Sequence, residues 1–285
     1  MSIELLDPRN DYVFKRIFAA SPDLLADLIN AVRSDEPPIE VVEVLNPQIL
    51  PEDIKGKFII LDILAKDAVG HLYNIEMQVQ RYNPWSARST YYLARALTHQ
   101  IGSGDRYASI KPVIGIHLLD FVLFPETPQA LWCFEMRDRL QPDIVLGPEL
   151  QLNIVELTKA DQSGTLTGAL ADWVTYIEHW QEESRMNQIT HPPVVEAMRQ
   201  LYALSSSTEE HYRAEMRARA VIEEASQMEY AERRGLEKGR EEGLEKGLEK
   251  GREEGRIATL RAVFSSLVAK GMDEAIARKI VGLTA

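Results

Sequence analysis

Two runs of strand-forming residues, 58–65 and 72–79, flank the tetrad Asp67-Ala68-Val69-Gly70. How they pair limits what this chain can fold into and what its acids can do. Asp62 interrupts the first apolar run, where an unpaired charge is costly. In the second, Glu76 and Gln78 share one strand face, and Tyr73, Ile75, Met77 and Val79 occupy the other. Gly70 suits the left-handed position of a three-residue hairpin loop. That loop pairs Asp67 with His71 and puts Asp62 opposite Glu76, with Cβ atoms about 5 Å apart. Two carboxylates so close repel unless a proton or a metal cation lies between them. A two-residue loop at Ala68-Val69 would set Asp62 opposite Ile75 and send the acids to opposite faces. Val69 is poorly suited to the positive φ of a type I′ turn, so the longer loop is the expected register.

The 285 residues are enough for one large domain and an appendage, or for two domains. No apolar run approaches the roughly 20 residues of a membrane span. The first residues, Met-Ser-Ile-Glu-Leu-Leu-Asp, lack the basic start and apolar block of a signal peptide. The single cysteine, Cys133, excludes an intrachain disulfide and a cysteine zinc cluster, and is expected to be a small buried hydrophobe. A reducing cytoplasm is the expected compartment. The net charge of −12 argues mildly against broad nucleic-acid binding. Yet residues 57–111 hold seven Lys/Arg against four acids, a local +3, and leave −15 for the rest.

Along the chain, residues 10–18 read as a helix with Tyr12, Val13, Phe14, Ile17 and Phe18 on its apolar side, and Ser21-Pro22 opens a second helix. Strands are expected at 39–45, on both sides of Gly70, and at 111–119, 131–139 and 150–157. A helix from Asn83-Pro84 to about residue 101 precedes the 111–119 strand and suggests a parallel crossover. Residues 166–180 form an amphipathic helix. The class is α/β, a mixed central sheet flanked by helices, with a helical C-terminal tail. Three regions are expected: 1–205, 206–256 and 257–285. Ser207 and Glu210 have capping-box spacing for a helix to about residue 234. Glycine then recurs every four residues from Gly235 to Gly255, in units that also place a glutamate every four residues. Each glycine costs about 1 kcal/mol of helix propensity, and the glutamates repel at i,i+4. This stretch reads as a solvated helix or frayed spacer, with self-association through glycine contacts as the alternative. Two short helices, 257–269 and 273–283, close the chain.

Asp62 followed by Glu76-Met77-Gln78 on the next strand resembles the active-site pattern of the PD-(D/E)XK nuclease superfamily. Within it, the chain is similar to the recombination-promoting nuclease/transposase family. The resemblance extends to residues 10–18, 61–67 and 73–78, the helix at 82–102 and the glycine/glutamate repeat. It implies a restriction-endonuclease-like core and Mg²⁺-dependent cleavage of DNA, with Mn²⁺ as a substitute. Carried over, Asp62 and Glu76 are metal ligands, and the Met77 carbonyl is a third oxygen. Gln78 stands where the wider superfamily has lysine; an amide orients water but brings no positive charge. That charge would come from Lys15, Lys66 or the metal. Asp11 and Lys15, at i,i+4 on the first helix, are the other catalytic candidates, as in superfamily members whose first helix lends an acid.

Each reading has a plainer counterpart. Asp62 and Glu76 could be a structural pair bridged by Lys57 or Lys66, and Asp11 with Lys15 a surface salt bridge. Arg88, Tyr92, Arg95 and His99 follow helical spacing as a phosphate-contacting stripe, or form an exposed face with one packed aromatic. Asn74 and Gln80 share the Glu76 face and could line the site or a wet edge. His117, Asp120 and Asp143 are expected in core, strand-end and turn positions. The leading function is a metal-dependent DNA endonuclease, expected as a homo-oligomer with no membrane association. The alternatives are a catalytically degenerate nuclease fold used for nucleic-acid binding or assembly, and an RNA- or nucleotide-directed phosphodiesterase.

Overall fold

A computed structural model describes residues 4–45, 48–49, 59–60, 63–81, 85–164 and 166–282. In chain order its elements are α1 (Asp11–Phe18), α2 (Pro22–Val32), β1 (Val41–Leu45), β2 (Gln48–Ile49), β3 (Ile59–Ile60), β4 (Ile63–Asp67), β5 (Leu72–Gln78) and α3 (Trp85–Thr98). There follow β6 (Val113–Leu119), β7 (Leu131–Glu135), β8 (Leu150–Glu156), α4 (Leu157–Ser163), α5 (Gly168–His179), α6 (Glu183–Met186), α7 (Pro192–Ser205), α8 (Thr208–Ala269) and α9 (Glu274–Val281).

Six strands form one mixed sheet in the order β1-β4-β5-β6-β8-β7. β4 and β5 are an antiparallel hairpin, and β5, β6 and β8 run parallel at the centre. The crossover expected before residue 111 is therefore present, and α3 is its helix. One sheet face, with Tyr73, Ile75, Met77, Ile114, Ile116 and Leu118, packs on α1, α2, α5 and α7 in the main core. The other carries Leu64, Leu119 and Ile154 and is covered by α3 through Trp85, Leu93 and Ala96. β5 and β6 are thus enclosed on both sides, as parallel strands require. Phe121, Leu123 and Phe124 pack beside Trp85 on this second face, and Gly115 lets α3 approach closely. A Cβ there would lie 2.9 Å from Leu152 and 3.0 Å from Leu93.

The chain divides into two compact units, residues 1–221 and 222–285. The first continues beyond the break read at 205 because the opening turns of α8 are bonded to α1. Tyr12 donates to Glu210 at 2.6 Å, Arg16 pairs with Glu210 at 3.1 Å, and Arg217 pairs with Asp11 at 2.6 Å. Ser207 caps α8 by accepting from Glu210 N, as its spacing suggested. In the second unit the glycine repeat is continuous helix, with exposed i,i+4 pairs such as Lys250 with Glu254 along it. Residues 257–269 belong to that same helix. Only α9 is separate, turned at Gly271 and capped by Asp273.

Cys133 is exposed rather than buried. β7 is the outer strand of the sheet, and no described strand pairs with its outer side.

Candidate active site

The hairpin turn has the three-residue loop. Gly70 has φ +93° and donates to the Asp67 carbonyl at 3.1 Å, and Asp67 N donates to the His71 carbonyl at 3.2 Å. The Asp67 carboxylate secures the turn by accepting from Val69 N at 3.0 Å and His71 N at 2.8 Å. The ladder then reads Ile63 with Ile75, Leu64 with Asn74, Ala65 with Tyr73 and Lys66 with Leu72. A two-residue loop would have moved every pair by one. Asp62 lies outside the described residues.

Glu76 lies mid-sheet, 4% exposed, beneath α3. Both its oxygens are held from its own strand. Asn74 Nδ2 donates to one at 3.1 Å and Gln78 Nε2 to the other at 2.9 Å. These residues share a face because strand side chains alternate. Gln78 is itself held, its Oε1 accepting from the Trp85 indole at 2.5 Å. His117 stands beside Glu76 on β6, fully buried. Its ring meets that of Trp85 edge-on, with centroids 5.5 Å apart, and its Nε2 lies 3.5 Å from Ser89 Oγ. Burial pushes the His117 pKa below the usual imidazole value, and the Arg88 charge acts the same way against the opposing pull of Glu76. His117 is therefore neutral at pH 7, and Arg88 is close enough to be felt in the site.

Arg88 also lies over the Tyr92 ring, 5.2 Å from its centroid. Trp85 and Ser89 on α3 are buried against the sheet, while Arg88, Tyr92 and Arg95 are partly exposed and His99 is exposed. Met77 points into the opposite core, which leaves its backbone as the only part of it on hand for the site. Asp11 and Lys15 belong to α1, which packs on that opposite face, and Asp11 is paired with Arg217. Lys66 faces Leu72, four residues from Glu76, or about 13 Å along the strand. It sits 4.0 Å from Glu43. Gln80 lies beyond the end of β5.

Sequence reasoning placed His117 in the core, where it is, but gave it no place beside Glu76. The available signal was the one that singled out Asp62, a polar group in an apolar strand. His117 interrupts Val113–Leu119 in the same way.

A family model for PD-(D/E)XK nuclease family transposases matches residues 8–231. The chain belongs to that family. Comparison with curated proteins and with solved structures gives no match. The match covers the sheet, α3 and the helices of the main core, so the Glu76 network lies in the PD-(D/E)XK nuclease domain. PD-(D/E)XK nucleases typically use divalent metal ions. Among the described residues no three His, Cys, Asp or Glu side chains group to share one. Glu76 is the acid on hand. Near it, Asn74 Oδ1 and His117 Nδ1 are buried with no hydrogen-bond partner among the described residues. A carboxylate with lone pairs still open, and polar atoms needing partners, fit a hard cation that keeps several of its waters.

Proposed function

We propose that this PD-(D/E)XK nuclease family transposase is a Mg²⁺-dependent DNA endonuclease. One observation carries the reading. Glu76 is a buried carboxylate, oriented by two amides, on a hairpin whose described register is the one required for Asp62 to face it. Glu76 and Asp62 would hold the ion, with the Met77 carbonyl as a further oxygen. Bound there, Mg²⁺ supplies charge stabilisation and a more acidic water. Asn74 and Gln78 keep the Glu76 carboxylate aimed. His117, neutral and buried, brings no positive charge of its own beside Glu76. Arg88 is better placed than Lys66 to bring the positive charge that a glutamine at 78 lacks. With Tyr92 and Arg95 it forms the partly exposed stripe that would meet DNA phosphates.

The test is plasmid cleavage with Mg²⁺ or Mn²⁺. Asp62→Ala and Glu76→Ala are each expected to lower the rate at least about a hundredfold. Equal rates in all three proteins would remove the active-site assignment. Duplex DNA, single-stranded DNA and RNA offered side by side separate an endodeoxyribonuclease from an RNA-directed phosphodiesterase. Binding of DNA without cleavage would favour the degenerate, assembly-type reading, which the absence of a superfamily lysine at 78 also favours. The protein is proposed to act in the cytoplasm as a homo-oligomer; no helix among the described residues is long and apolar enough to cross a membrane.

A further inference from the structure

We infer that Trp85 is a positioning residue that selects glutamine at position 78 and turns that position into a brace for Glu76. The inference rests on the active-site reading above. An indole N–H only donates, so it accepts one orientation of the Gln78 amide, with the carbonyl toward Trp85. The amide nitrogen must then face Glu76, as it does at 2.9 Å. Trp85 is anchored for this task, 5% exposed at the start of α3 and packed with Leu119 and Ile154. A lysine at 78 could donate to Glu76, but it offers Trp85 no acceptor and strands a buried N–H. A glutamate would satisfy Trp85 and place a second negative oxygen against Glu76. Only glutamine answers both neighbours at this reach. The departure from the superfamily lysine is therefore tied to the residue that begins the next helix.

Two measurements test this, on the full chain. The first follows the Trp85 indole N–H signal by nitrogen-15 NMR. It is expected to move in Gln78→Ala and Gln78→Lys and to stay near its wild-type position in Gln78→Glu. A signal indifferent to Gln78→Ala overturns the inference, whether or not the protein cuts DNA. The second titrates Mn²⁺ alone into wild type, Gln78→Lys, Trp85→Phe and the double variant. Gln78→Lys is expected to weaken Mn²⁺ binding about tenfold when Trp85 is present and less than about threefold in the Trp85→Phe background. An equal loss in both backgrounds overturns the selection of glutamine by Trp85. If wild type binds no Mn²⁺, the active-site reading fails, and the indole signal alone decides whether Trp85 orients Gln78. The indole measurement leaves Trp85 in place, so it stands even if Trp85→Phe does not fold.

Discussion

Glu156 has no exposed surface, yet it is held ionised. Burial pushes its pKa up, but hydrogen bonds from Lys159, Phe124 N, Trp132 and Leu123 N outweigh that and hold it below the usual carboxylate range. Lys159 lies 2.9 Å away and is itself only 12% exposed. Glu156→Gln keeps the shape but removes the opposing charge, leaving Lys159 with only the Phe124 and Gln129 carbonyls among the described residues. It is expected to cost about 3–5 kcal/mol in urea unfolding at pH 7. A group whose pKa is lowered by folding stabilises above its unfolded value, and that contribution is lost as pH falls through the folded one. Wild type should therefore lose more stability than Glu156→Gln between about pH 6 and pH 3. Parallel acid profiles would show that Glu156 is not held ionised. Glu76 differs in kind. Among the described residues its oxygens are held by two neutral amides, those of Asn74 and Gln78.

The hairpin and α3 are the elements on which the site depends. Gly70 holds the left-handed conformation that closes the loop, and any side chain there is strained. Gly70→Ala is expected to cost about 1–2 kcal/mol of stability. A loss of cleavage larger than that of folding would show the register slipping. Gly115 sits under α3, where an added methyl would press on Leu93 and Leu152. Gly115→Ala is expected to destabilise by about 1–3 kcal/mol, read by urea unfolding. It should also weaken Mn²⁺ binding by lifting Trp85 away from Gln78. Unchanged stability would mean that the two leucines give way without moving the helix.

At the scale of the molecule, the second compact unit is built on different physics. Its glycines face open space, with nothing within 4 Å of an added Cβ at Gly239, Gly243, Gly247 or Gly251. Within one chain they only weaken the helix. Alanine at these four positions is expected to stabilise it by about 0.5–1 kcal/mol each, seen as a higher melting temperature by circular dichroism. The opposite result, a lower melting temperature with a smaller mass by light scattering, would show that glycines bring copies of the helix together. A monomeric mass for wild type would overturn the proposed homo-oligomer.

Local chemistry in the sequence was enough to determine the hairpin, its loop and its register, because a glycine at positive φ, an Asx turn and period-two alternation all act within a few residues. The first helices, the parallel crossover and the Ser207 cap were legible for the same reason. The position of β7 was not, since strand order depends on long-range packing, and an edge strand leaves Cys133 exposed where composition suggested burial. Nor was the pairing of Asp11 with Arg217, which are 206 residues apart. The same holds for the Glu76 network. Trp85 meets Gln78 and His117 stands beside Glu76 only because α3 docks closely over Gly115 and β6 pairs in parallel with β5. No pattern along the chain encodes that distance, so the tertiary structure alone decided which neighbours Glu76 would have.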